Sequence, residues 1–210
     1  MDDAGVVIRI RDDLQIVSVS AMRECKSAVA ERARSRYRLT LRDGPFCDLG
    51  EGVDALGIGR RRWMFIRYHP DETFVGDVTT AFDGLAAVCD QSDAYVIFEL
   101  TGKCVRPALA KGVPVDLHPK SFTSGDIAVT NVAHINVVLW QLASPAAPAI
   151  ASSLTTCFCV AVPRSYAGSF TEFLLASARE FGTDFIDGPN ESTAPGYQPA
   201  DSAGGPRVPG

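Results

Sequence analysis

The run Gly102 to Phe122, GKCVRPALAKGVPVDLHPKSF, constrains this chain more than any other stretch, because it joins a helix, a turn and a proline stop. Lys103 to Lys111 reads as the helix, and Gly112 ends it, since glycine accepts the left-handed conformation at a helix end. Pro114 and Pro119 then hold the connection extended. The apolar run Ala94 to Leu100 precedes it, and Tyr95 to Leu100 is rich in strand formers. A Gly-Asp turn and two apolar strands, Ile127 to Val132 and Ile135 to Leu142, follow. Strand, helix and hairpin in that order begin a split β-α-β unit.

The remaining chain repeats the pattern. Leu14 to Ser20 reads as a strand that brings Leu14, Ile16, Val17 and Val19 near a core. A helix is expected from about Ser20, a candidate N-cap, with Glu24 one position past the capping-box site. Met22, Cys25, Val29 and Ala33 would share its apolar face, and Arg23, Lys26, Arg34 and Arg38 the others. Asp43-Gly44-Pro45 breaks into a loop. Val53 to Gly59 and Trp63 to Tyr68 form a hairpin, Thr73 to Gly84 a short helix, and Ala86 to Asp90 the strand that closes this unit. In the second unit, Ser144 to Pro148 is a loop, Leu154 to Val162 a strand, and Tyr166 to Phe181 a helix with Phe170, Phe173, Leu174, Ser177 and Ala178 on one stripe. The expected class is α+β, with two split β-α-β (ferredoxin-like) units at about 14–91 and 92–187 within a domain 1–187. Residues 188–210 are rich in Gly, Pro, Ser and Ala, and read as a disordered tail.

Composition excludes several classes. The 210 residues are 46% hydrophobic, enough for one sizeable core or two small ones. The net charge of −5 is uneven: residues 1 to 70 hold 13 Lys/Arg against 10 Asp/Glu, and the remainder is acidic. These charges are interspersed, which favours solvated faces over a dedicated docking surface. No nucleic-acid motif accompanies the basic half, so no nucleic-acid partner is expected. No apolar stretch approaches the ~20 residues that cross a bilayer, and Met1-Asp2-Asp3 does not open a secretory signal, so a cytoplasmic protein without a membrane partner is expected. Of the six cysteines, Cys25, Cys89, Cys157 and Cys159 fall in helical or strand patterns as small buried thiols would. Cys157 and Cys159 would share a strand face, but His69, His118 and His134 are scattered and complete no metal set.

Candidate chemistry is sparse. Gly57-x-Gly59 has Arg62 at the position where a dinucleotide fingerprint needs a small residue, and a strand follows, so it reads as a hairpin turn. Arg60-Arg61-Arg62 could meet phosphate, though adjacent arginines at a turn are usually solvated. His118, two residues after Asp116, could act as an acid-base group; the favoured reading is a structural turn in which Asp116 bonds neighbouring amides. Trp63 and Trp140 read as core or interface anchors, and Ser165 lacks a nucleophile elbow. No catalytic, cofactor-binding or metal-binding residue is therefore expected in this chain. Leu117, His118 and Phe122 are read as an apolar anchor presented to a large partner, against the competing view that they close the chain's own core.

The order Gly-x6-Leu-Ala-x-Gly-x3-Asp-Leu-His-Pro-x2-Phe over 102–122 resembles the sarcosine oxidase gamma subunit family, which is related in fold to the folate-binding aminomethyltransferase. Gly57 to Ile66, Asp90 to Asp93 and Val162 to Tyr166 match further family anchors, so the resemblance covers roughly 17–182. Val113-Pro114-Val115 departs from the family pattern. The resemblance implies an assembly subunit without a cofactor, packed against alpha, beta and delta subunits. FAD, FMN, NAD, tetrahydrofolate and zinc would sit on those subunits, and the supported reaction would be oxidative demethylation of sarcosine to glycine with one-carbon transfer to tetrahydrofolate. The equivalent small subunit of another N-methyl amino acid oxidoreductase and a stand-alone folate-binding protein remain open.

Overall fold

In the computed structural model, residues 4–50, 52–142 and 157–186 are described. The expected loop Ser144 to Pro148, the start of the strand at Leu154 and the tail 188–210 lie outside these residues. Eleven strands occur among the described residues in chain order: β1 (Val6–Arg11), β2 (Gln15–Ala21), β3 (Phe46–Leu49), β4 (Val53–Gly59), β5 (Arg62–Arg67), β6 (Ala86–Asp90), β7 (Tyr95–Thr101), β8 (Ile127–Val132), β9 (Ile135–Leu142), β10 (Cys157–Pro163) and β11 (Thr183–Ile186). Four α-helices accompany them: α1 (Lys26–Tyr37), α2 (Phe74–Ala81), α3 (Val105–Leu109) and α4 (Ala167–Ala178).

The strands form two sheets, ordered β3-β4-β5-β2-β6 and β11-β1-β7-β10-β9-β8. The first is antiparallel throughout and follows from a strand, α1, a meander, α2 and a last strand returning beside β2. That is the expected split β-α-β unit, and all its strands fall within 14–91. The second repeats the plan with β7, α3, the meander β8-β9-β10 and α4. Here β1, from the opposite end of the described chain, is inserted beside β7, and β11 runs parallel to it on the outside. A strand at Val6 to Arg11 was not expected, and its partners are about ninety residues or more away in sequence.

Alternation along the strands explains how the sheets stack. On β5, Trp63 and Phe65 face α1 and α2, while Met64 and Ile66 face the other sheet. On β9, Val137 and Leu139 face α3 and α4, while Val138, Trp140 and Leu142 face back toward the first sheet. The layers therefore run helices, sheet, sheet, helices, and the central strands are apolar on both faces because both are covered. Burial of these side chains supplies the principal driving force for the architecture.

The helix expected from Ser20 begins later. Ser20 lies in β2, where it pairs with Arg62, and Cys25 occupies the N-cap position. Met22 is exposed, and only Val29 and Ala33 of the expected stripe are buried within α1. Strand pairing to β5 and β6 as far as Ala21 wins over local helical periodicity. Cys89 is exposed, rather than buried, on β6, the edge strand of the first sheet. Gly57-x-Gly59 lies within β4 at an irregularity in its pairing with β5, and the turn itself falls at Arg60-Arg61. Gly57 is needed for packing: a Cβ there would stand 2.2 Å from the Gly44 carbonyl oxygen and 2.5 Å from the Phe46 ring.

Candidate functional site

The segment from Gly102 is built against the second sheet. Gly102 has φ 117°, and a Cβ on it would meet the Gly5 carbonyl oxygen at 2.4 Å, so this passage of β7 past the chain's N-terminal strand needs glycine. α3 then places Arg106 at the centre of the connection. Its guanidinium donates to the carbonyl of Leu117, to the carbonyl of Phe122 at 3.2 Å and to Gln141 Oε1 at 2.8 Å. It also lies 4.9 Å from the centre of the Phe158 ring. Removal from water lowers the Arg106 pKa from its ordinary value. One cation thus closes a sixteen-residue loop onto the sheet.

This anchoring turns the apolar side chains inward. Val113, Leu117 and Phe122 join the core under α3 and α4, and Phe122 stacks on Phe158 with ring centres 6.0 Å apart. The expectation that Leu117 and Phe122 form an exposed anchor is corrected: they close the chain's own core. Pro114 remains exposed, and the exposed His118 and Pro119 line a shallow, mainly apolar groove with Pro107, Ala110 and Val115.

Asp116 and His118 form a turn. Asp116 Oδ1 accepts the His118 amide at 2.9 Å, His118 Nδ1 accepts the Lys120 amide at 3.2 Å, and the His118 carbonyl accepts from Ser121 and Phe122. The bond to the Ser121 side chain, followed by that from the His118 amide, holds the Asp116 carboxyl below its ordinary pKa. His118 Nδ1 thereby helps to fix the turn. Trp63 and Trp140 are fully buried, Ser165 lies exposed in a 3-10 turn, and Cys157 and Cys159 face the inter-sheet layer together. All six cysteines are free thiols, and no group of three or more His, Cys, Asp or Glu side chains among the described residues could hold a metal. No helix among the described residues is long and apolar enough to cross a membrane.

The chemically unusual groups lie between the sheets, where sequence reading did not place any. Glu99 on β7 receives Arg9 at 3.2 Å and Arg11 at 3.3 Å from its neighbour β1. Arg11 also meets both oxygens of Asp13, at 2.6 and 3.0 Å. Burial opposes charge on Arg11, yet the Asp13 bond and Glu99 outweigh it and raise its pKa. Alternation of Arg9 and Arg11 with Val6, Ile8 and Ile10 was the available signal, but their acid lies on another strand.

Asp54 on β4 sits 2% exposed in the same layer, with one carboxylate oxygen unpartnered. The Tyr68 hydroxyl, which influences its ionisation, also lacks a hydrogen bond of ordinary geometry. Burial pushes the Asp54 pKa from 3.8 up to about 7. Because the folded state holds this proton more tightly than the unfolded state, the Asp54 contribution to stability is fully present below about pH 4 and is lost as pH rises to about 7. The loss is at most about 4 kcal/mol. The stability difference between the parent and Asp54→Asn, measured by urea unfolding, is expected to shift against the parent over that interval and level off above it. A difference independent of pH would contradict the assignment.

No family model matches the chain. It is 31% identical over 91 residues to the sarcosine oxidase subunit gamma of Corynebacterium sp. (strain P-1), spanning 43% of this chain and 45% of that protein. It is 30% identical over 100 residues to the sarcosine oxidase subunit gamma of Arthrobacter sp., spanning 47% of this chain and 48% of that protein. The matched region thus spans about half the length of these curated relatives. A chain of heterotetrameric sarcosine oxidase from Corynebacterium sp. U-96, solved in complex with pyrrole 2-carboxylate, superposes with a TM-score of 0.67 at 18% identity, over 87% of this chain and 88% of that one. Aminomethyltransferase T of the glycine cleavage system from Bartonella henselae superposes with a TM-score of 0.61 at 12% identity, over 87% of this chain and 48% of that one. The chain therefore resembles sarcosine oxidase gamma subunits in sequence over about half its length and has the α+β fold found in heterotetrameric sarcosine oxidase and in aminomethyltransferase T.

Proposed function

We propose that this chain is the gamma subunit of a heterotetrameric sarcosine oxidase and contributes assembly rather than chemistry. The observation that carries this reading is a contrast in coverage. The fold spans 88% of the sarcosine oxidase chain but 48% of aminomethyltransferase T, so its extent fits the small oxidase chain better than the larger enzyme. The partial sequence matches to two gamma subunits point the same way. On this reading residues 1–187 form the gamma-like domain, with residues 188–210 outside it. Alpha, beta and delta subunits are its partners and carry FAD, FMN, NAD, tetrahydrofolate and zinc. The complex demethylates sarcosine oxidatively to glycine, passing the one-carbon unit to tetrahydrofolate.

Co-expression with the alpha, beta and delta genes of the same genome tests the assignment. The expected result is a four-subunit complex with sarcosine-dependent oxygen consumption, while the isolated chain carries no visible absorbance. A stoichiometric flavin band on the isolated chain, or an equally active complex assembled without this chain, would overturn the proposal.

A further inference from the structure

One corner of the first sheet gathers cations from three separate pieces of chain. Asp43 is its hub: it accepts Lys26 Nζ at 2.7 Å and the Arg61 amide at 3.1 Å. The Arg61 carbonyl in turn accepts the Ala21 amide at 2.9 Å, which brings Met22 and Arg23 to the same place. Arg42 precedes Asp43, and its carbonyl is fixed by Trp63 Nε1 at 2.8 Å. Arg60 and Arg62 flank Arg61, whose φ of 57° makes the tight turn that presents them. The corner therefore carries six cations, Arg23, Lys26, Arg42, Arg60, Arg61 and Arg62, against the nearby acids Asp43, Glu24 and Asp83. Among the described residues, Lys26 of the six makes an ion pair, Arg42 lies 5.2 Å from the centre of the Phe46 ring, and Met22 stands 51% exposed beside them.

We propose that this corner docks a carboxylate-rich protein surface on a larger subunit. The inference rests on the gamma-subunit reading for the identity of that subunit, and on charge complementarity for the surface itself. Five of the six cations are arginine, whose planar guanidinium pairs carboxylates through two parallel bonds. Arginine and methionine are enriched at protein interfaces, whereas lysine is depleted. The local aromatic rings, Trp63 and Phe46, are buried and cannot stack on bases, unlike those of single-strand nucleic-acid sites. The whole chain carries −5, so attraction to carboxylates is confined to this corner rather than spread over the chain. Because the turn is held by backbone bonds, the backbone has little ordering entropy left to lose on docking, and the cost falls on the arginine side-chain rotamers.

The test compares the parent chain with Arg23→Glu/Arg60→Glu/Arg62→Glu and with Arg34→Glu/Lys103→Glu/Arg179→Glu, which changes net charge equally at other exposed sites. Circular dichroism and thermal melting establish that both variants fold. Each is co-expressed with the alpha, beta and delta subunits, and the isolated proteins are titrated with poly-L-glutamate, duplex DNA and phosphatidylglycerol vesicles. The expected result is a loss of roughly tenfold or more in assembly and in poly-L-glutamate binding for the corner variant alone, with added salt reproducing the loss in the parent. Equal assembly by parent and corner variant overturns the docking role. Failure of the parent to assemble overturns the gamma-subunit reading instead; the corner is then judged by poly-L-glutamate, and binding equal in parent and corner variant, or no binding, overturns it. Preferential binding of DNA or vesicles also overturns it, because those ligands present phosphate rather than carboxylate. Should the triple variant fail to fold, Arg60→Ala alone carries the same comparison with a smaller expected loss.

Discussion

Phe122→Ala is expected to destabilise the fold by ~3–5 kcal/mol, measured by urea unfolding. Phe122 is 4% exposed, and its ring stacks on Phe158 at 6.0 Å beneath the Arg106 guanidinium. Its removal leaves a void between the connection and β10 that the chain cannot readily fill, because Arg106 ties the loop at both the Leu117 and Phe122 carbonyls. His118→Ala, at an exposed position of the same turn, loses an acceptor for one exposed amide and is expected to shift stability by less than ~1 kcal/mol. A Phe122→Ala variant with unchanged unfolding midpoint would return the segment to the role of exposed anchor.

Glu99→Ala is expected to cost ~3 kcal/mol, toward the low end for breaking a buried ion pair because Arg11 keeps Asp13. Two guanidiniums converge on the Glu99 carboxylate from the neighbouring strand, and the Arg11 side chain is only 4% exposed. Removing the acid leaves both cations between the sheets with their donors partly unmet. Glu99→Gln keeps two polar atoms in place and should lose less. The readout is the unfolding free energy of both variants at neutral pH; equal and negligible losses would show that the cluster contributes nothing to the pairing of β1 with β7.

The hairpins show where sequence and structure agree. Ile127–Val132 and Ile135–Leu142 emerge with the expected bounds because each is a compact run of strand formers around a two-residue turn. Ala133 and His134 both adopt positive φ there, 47° and 71°. Strands β3 and β11 are only four residues long, too short to show a period, and escaped sequence reading with β1. The shift of α1 has a different origin: Met22 and Cys25 fit a helical stripe, but pairing of β2 extends through Ala21 before the helix can begin.

Local pattern thus determined the two repeated units and most strands, because alternation and glycine or proline stops act over a few neighbours. The resemblance to gamma subunits likewise rested on residues whose order is visible in the chain. Tertiary structure decided the placement of β1 between β7 and β11, the burial of Leu117 and Phe122, the meeting of Arg9, Arg11 and Glu99, and the gathering of arginines around Asp43. Each joins residues far apart in sequence, and sequence period carries no information about which distant surface a side chain will meet. Whether Phe122 covers a partner or its own sheet depends on the closure of one loop by Arg106, whose other partners, Gln141 and Phe158, lie on β9 and β10.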